Sequence, residues 1–270
     1  MSNLRFVQSL ESIKSIETYP NRLPDILPLV HVTDAYGARS ILETAIIKAR
    51  PCKHFAKFTG VEESLAYFSY GKPSYRNREN GINANGASYP VAFLVDVNLL
   101  DHPIKRIFPF DTGGFGLYSD FLHHKMKPLD FNLGEHIEMA QRLVLKLYDT
   151  NLRYLKDTVR PHSELAIDPL ALELLNYHAM IENRGATKSD SRNSTVEIQF
   201  ERSIPLTVKN FRGLIVPESL SESSQFKSLL GKFRINAVAY SLTRGSSPEY
   251  DGALIAKTVD SLAAMPEYGH

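Results

Sequence analysis

With 270 residues and one cysteine, the chain is long enough for one large domain or two small ones, and it can form no disulfide within itself. Hydrophobic residues make up 43% and charged residues 23%, the proportions of an ordinary globular protein. A net charge of +1 excludes a global pull toward nucleic acid or a membrane surface, although a local basic groove is still open.

The first twenty residues, MSNLRFVQSLESIKSIETYP, lack an apolar core of signal-peptide length, and no stretch approaches the roughly 20 apolar residues of a membrane helix. With a lone Cys52, the expectation is a cytoplasmic protein with no membrane partner.

In chain order, LPLVHVT (27–33) reads as a buried strand. Asp34 then caps a helix whose apolar face carries Ile41, Leu42, Ala45 and Ile46. AYFSYGKPSYR (66–76) ends a strand, which Gly71 and Pro73 break. A turn that only reverses the chain does not need that much aromatic surface. Strands are predicted over 90–100 and 104–110, followed by the glycine-rich loop DTGGFGLYSDFLHHKMKP.

Residues 134–158 have the periodicity of one long amphipathic helix. Another starts at Asp168-Pro169 and stops near Gly185. After the polar loop 184–194, TVEIQFE (195–201) alternates cleanly, with Val196, Ile198 and Phe200 on one face and Glu197, Gln199 and Glu201 on the other. Further on, FRGLIVPES and INAVAYSL read as strands. QFKSLLGKF and the last stretch, PEYDGALIAKTVDSLAAM, read as helices.

Strict β-α-β alternation is absent. The order therefore predicts an α+β fold with a mainly antiparallel or split sheet, in one domain over 1–270 with a helical insertion at about 132–184.

No metal motif is present. His123 and His124 are adjacent, and His136 and His178 have no i,i+4 partner. There is no GxSxG and no P-loop, and GGFG lacks the spacing of a dinucleotide fingerprint. Three stretches remain. His31 and Thr33 are polar positions alternating with the apolar Val30 and Val32. The aromatic turn at 66–76 is the second. The third is the polar face of 195–201, where Glu197 opens the strand behind a long polar loop and could sit rigidly at the lip of a cleft. Alternation of this kind most often means a solvated face.

Taken in order, VHVTDAYGARSILETAII, YFSYGKPSYR and STVEIQFERSIPLTVKNFRGLIVP resemble the ADP-ribosyltransferase fold, with DarT-like toxins the nearest in flavour. The likeness touches about residues 27–76 and 192–217. It implies an NAD-dependent transferase that moves ADP-ribose to a nucleic acid or protein acceptor, in the manner of a bacterial toxin or phage-defence effector, with an antitoxin or other regulatory partner.

By that resemblance Glu197 is the catalytic carboxylate, with Glu201 as the other candidate through the Gln199-x-Glu201 pair. His31 and Thr33 hold a ribose, Tyr70 or Tyr75 stacks on nicotinamide, and Arg76 or Lys72 pairs with the pyrophosphate. Arg192, Asn193 and Gln199 border the acceptor. NAD is the substrate and no metal is needed. Lys72, Arg76 and Arg78, together with Lys188 and Arg192, could form a basic rim for nucleic acid. The other class of protein is a binding module on a degenerate transferase fold, in which Glu197 would face bulk solvent.

Overall fold

The structure, a computed structural model, describes residues 3–12, 14–15, 23–52, 56–57, 59–74, 88–182, 191–235, 237–241, 254, 256–262 and 264. An N-terminal helix, α1 (Asn3–Ser12), is not signalled by the sequence patterns above. Phe6 and Leu10, one turn apart, bury its inner face, and the Phe6 ring packs edge-on against Phe131 and Tyr177.

Strand β1 (Leu29–Asp34) leads directly into helix α2 (Ala35–Thr44). The Asp34 carboxylate accepts the Gly37 N–H at 2.7 Å, as a side-chain cap does. The helix buries Ala38, Ile41 and Leu42 and ends at Ala45, which sits at φ 57°. Ala45 and Ile46 therefore do not continue the helical face, because the left-handed residue breaks the hydrogen-bond ladder.

Strand β2 (Glu63–Tyr70) stops at Gly71, which holds φ at 72°. A Cβ there would lie 2.6 Å from Leu27 Cδ1, so both the conformation and the space require glycine. Strand β3 (Pro90–Val95) is buried along its whole length and ends earlier than its composition suggested, because Asp96 caps a 3-10 turn over Val97–Leu99. Strand β4 (Ile104–Phe108) follows.

The expected long helix is two helices, α3 (Glu138–Tyr148) and α4 (Asn151–Leu155). Asp149 at φ 76° ends the first, and the Thr150 hydroxyl accepts the Arg153 N–H to start the second. Helix α5 (Leu172–Glu182) begins after Asp168-Pro169 and buries Leu174, Tyr177, His178 and Ile181. All three lie between β4 and β5 (Glu197–Phe200). The chain continues through β6 (Phe211–Pro217), α6 (Ser224–Gly231) and β7 (Ala237–Tyr240). Residues 256–262 are helical, and the start of the expected last helix lies outside the described residues.

The fold is α+β. The main sheet runs β7-β6-β3-β1-β2-β5-β4, and every pairing is antiparallel except β6 with β7. The pairing at the middle is uneven. On one side β1 pairs with β3 over six residues, from Leu29↔Val95 to Asp34↔Pro90. On the other side it meets β2 only at Leu29↔Tyr70 and Val30↔Ser69. From His31 onward the two strands part. Meanwhile β2 stays bound to β5 through Ala66↔Phe200 to Ser69↔Glu197. The sheet is split at its centre, and this split positions the site. Among the described residues no helix is long and apolar enough to cross a membrane.

Candidate active site

A cavity of about 460 Å³ opens where β1 and β2 part, within the size range of small-molecule sites. The edge of β1 from Val30 to Asp34 forms one wall and Tyr67 to Ser69 of β2 another. Asp111 to Gly113 and Glu197 close the far side. By register Glu197 shares its sheet face with Ser69 and Val30, whereas His31 shares a face with Phe68. A continuous sheet would keep Glu197 and His31 apart. The parting of the strands lets one cavity reach both, because it runs along the open edge of β1.

His31 lies in the parting. Its Nδ1 is 2.9 Å from the Tyr67 carbonyl, and its ring packs on Phe68. A carbonyl can only accept, so Nδ1 carries the hydrogen and Nε2 is left as an acceptor in the neutral ring. Burial, with a smaller effect from the Arg50 charge, lowers the His31 pKa below its ordinary value. The ring is therefore neutral at neutral pH. Thr33 also lines the cavity, two residues along the same strand.

Glu197 opens β5 and is 6% exposed. Its Oε1 accepts from Thr112 Oγ1 at 2.8 Å and from Gln199 Nε2 at 2.7 Å. Its Oε2 accepts from the Thr112 N–H at 3.2 Å. All three groups donate and so favour the charged form, yet the pKa is pushed up to about 8. Burial is the first cause and the negative charge of Asp111 the second.

Behind Gln199 stands Arg106, whose Nη1 donates to Gln199 Oε1 at 3.1 Å and whose Nη2 donates to both Glu63 oxygens at 2.6 Å. A chain of bonds thus runs from Glu63 through Arg106 and Gln199 to Glu197, and it fixes the carboxylate by its polar partners on one strand face. Alternation alone most often marks a solvated face, but here Glu197 and Gln199 are buried, because β4 brings Arg106 and the following turn brings Thr112 over them, while Glu201 at the end of that face is exposed.

The sequence-predicted residues divide. His31, Thr33 and Glu197 share the cavity. Glu201 does not line it and pairs with Lys105 at the surface, at 3.2 Å. Gln199 is fully buried as a bracket for Glu197 and does not border the cavity. Asn193 is buried with its amide donating to the Met180 carbonyl. Arg192 reaches Gly113 O at 3.4 Å, and its own carbonyl accepts the Asp111 N–H.

Tyr70 is corrected to a core position. It is fully buried, its hydroxyl accepts the Leu27 N–H, and its carbonyl accepts from Tyr154. Lys72 is likewise 2% exposed and paired with Asp157. Tyr75 and Arg76 lie outside the described residues.

The sequence reading missed Tyr67, Asp111, Thr112 and Ser74, which all line the cavity. The Tyr67 hydroxyl donates to Cys52 Sγ, and burial raises its pKa well above the ordinary value. Asp111 and Thr112 stand directly before Gly113-Gly114, and Asp111 Oδ1 accepts the Gly113 N–H at 2.9 Å. An aspartate two residues before a glycine is a capping signal, and here it marks the turn that grips Glu197.

A larger cavity of about 750 Å³ lies elsewhere, beside Leu23–Pro28. None of the sequence-predicted residues lines it, and its Arg212 and Asp96 side chains pair with each other at 3.0 Å. Among the described residues no group of three or more His, Cys, Asp or Glu side chains could hold a metal ion.

No protein-family model matches the sequence. No curated protein matches it either. Among solved structures, DarT from Thermus sp. 2.9 in complex with NAD+ aligns with a TM-score of 0.41 at 10% identity, covering 82% of this chain and 98% of that one.

Proposed function

We propose that the chain is an NAD-dependent ADP-ribosyltransferase acting on a macromolecular acceptor. The observation that carries this reading is the Glu197 carboxylate, held by three donors on the wall of a cavity that His31 also lines.

Breaking the bond between nicotinamide and ribose spreads positive charge over the sugar. A buried, pre-oriented carboxylate stabilises that charge without having to reorganise. Glu197 would do this in its ionised form, beside the ribose 2′-hydroxyl. The neutral His31 ring offers Nε2 as an acceptor for a hydroxyl of the adenosine ribose, with Thr33 beside it. Tyr67 and Phe68, rather than Tyr70, supply the aromatic surface against which a flat ring could lie. A binding-only module would leave Glu197 facing bulk solvent. Its 6% exposure on the cavity wall, together with the partners that fix it, favours chemistry.

The test is incubation with labelled NAD, with DNA, RNA and cell lysate offered separately. Transfer of label to one of them is expected. Glu197→Gln should bind NAD within a few-fold of the unmodified protein while turnover falls about 10²–10³-fold, since the lost charge matters mainly in the transition state. Equal turnover in the variant would remove Glu197 from its role.

A further inference from the structure

We propose that Arg106 is a positioning residue for the transfer: it turns the Gln199 amide so that its NH2 faces Glu197, and so holds Glu197 as the charged acceptor that the reaction needs. This rests on the reading of the cavity as a site of ADP-ribosyl transfer. The register brings the side chains together. Gln199 of β5 stands between Tyr67 of β2 and Arg106 of β4, and Glu197 lies two residues away on the same face. The pairing of β4 slips by one residue at Lys105: Ile104 pairs with Phe200, yet Arg106, two residues on, pairs with Gln199. A regular strand would put Lys105 opposite Gln199. The irregularity gives that place to Arg106, as bulges beside sites re-aim a side chain.

A glutamine amide has nearly the same shape either way round, with an acceptor at one end and donors at the other. Gln199 is fully buried, so both ends take partners within the fold. Its Oε1 accepts from Arg106 Nη1 at 3.1 Å, and its Nε2 donates to Glu197 Oε1 at 2.7 Å. A guanidinium only donates, so the amide oxygen must face Arg106 and the NH2 must face Glu197. Arg106 Nη2 donates to both Glu63 oxygens at 2.6 Å, which anchors the guanidinium. Without Arg106 the amide is able to turn over. Its oxygen would then accept from a protonated Glu197, and the neutral carboxyl, which cannot stabilise the ribose charge, would gain a partner.

Among the described residues, Tyr67 from β2, Arg106 from β4, Asp111 from the turn after β4 and His31 on the β1 wall of the cavity are charged or titratable groups arranged around Glu197, with Glu63 beyond Arg106. Exchanging Arg106 and Glu63 together for apolar residues leaves the others in place and keeps the net charge.

The test is the pH–rate profile of nicotinamide release from NAD by the full chain. Arg106→Met/Glu63→Leu removes the donor without leaving Glu63 buried and unpaired, and Arg106→Leu/Glu63→Met is the second form of the change if the first does not fold. The midpoint of the profile should move up by about one pH unit, the scale of one hydrogen bond to a charged group. Release below the midpoint should therefore fall about 10-fold, with KM for NAD within a few-fold. The plateau at high pH should recover, because ionised Glu197 turns the amide back by itself. Gln199→Met should move the midpoint in the same direction, and adding the exchange at Arg106 and Glu63 to it should move it no further. An Arg106 that only supports the fold would instead lower release alike at every pH. That result, an unmoved midpoint, or an equal further shift in the Gln199→Met background removes Arg106 from this role and leaves the reading of the cavity standing. If the unmodified chain releases no nicotinamide at any pH, both fall.

Discussion

Glu197 carries two opposing demands. Three donors hold it as an acceptor, yet burial and Asp111 push its pKa from an ordinary 4.5 to about 8. Among the described residues, Asp111, Arg106 behind Gln199, and Tyr67 are charged or titratable groups arranged around it. Because the ionised form performs the proposed chemistry, turnover should rise with pH and level off above about 8. A flat pH–rate profile between about pH 6 and pH 9 would contradict that role. Stability should move the other way. A carboxyl whose folded pKa is raised holds its proton more tightly folded than unfolded. Its contribution is full below 4.5 and is lost as pH climbs through about 8. Glu197→Gln cannot lose a proton, so its melting temperature should fall less than that of the unmodified chain between about pH 5 and pH 9. An identical fall in both proteins would mean that Glu197 titrates near its ordinary value.

At the scale of the element, the turn after β4 decides whether the site is formed. Thr112–Tyr118 is a 3-10 helix that begins at the grip on Glu197, and Gly114 sits where a Cβ would lie 2.3 Å from the Tyr118 hydroxyl. Gly114→Ala should displace Tyr118 or the turn itself. Turnover is expected to drop at least 10-fold, because misplacing a catalytic group by about 1 Å can cost 10²-fold. Assay of NAD cleavage beside a thermal melt separates this from unfolding: unchanged turnover would show that the turn absorbs the methyl group. Several elements were legible in the sequence. The strand at β1, its Asp34 cap, the stop at Gly71 and the alternation of β5 all follow from local rules. The burial of the polar face of β5 was not legible, since alternation states that two faces differ and not what covers each. The cover comes from Arg106 and Thr112, more than eighty residues upstream of their partners Gln199 and Glu197. The break between α3 and α4 was hidden for another reason. It rests on Asp149 at positive φ, with no glycine or proline to announce it.

Across the whole molecule, helix α4, between β4 and β5, ties the split sheet together. Tyr154 of α4 donates to the Tyr70 carbonyl at the end of β2 and accepts the Val196 N–H just before β5, so one side chain ties the two strands that carry Tyr67 and Glu197. Lys72, which follows β2, lies 4.8 Å from the Tyr154 ring centroid and pairs with Asp157. The Ser194 hydroxyl donates to the same Asp157 oxygen at 2.7 Å. Residues 72, 157 and 194 are far apart in sequence, which is why Lys72 could be read there as an open cation for a pyrophosphate. In the fold its charge is spent inside the protein. Removing one partner of such a pair leaves the other buried and uncompensated, at about 3–5 kcal/mol. Asp157 is 19% exposed, so the low end of that range is expected for Lys72→Met. Lys72→Met with Asp157→Leu should recover much of the loss, since replacing both charges with apolar groups is often close to neutral. Denaturant unfolding of the two single variants and the double variant measures the coupling directly. NAD affinity of the folded Lys72→Met protein should stay within a few-fold of the unmodified chain. A large loss of affinity with little loss of stability would return Lys72 to the pyrophosphate and take it out of the brace.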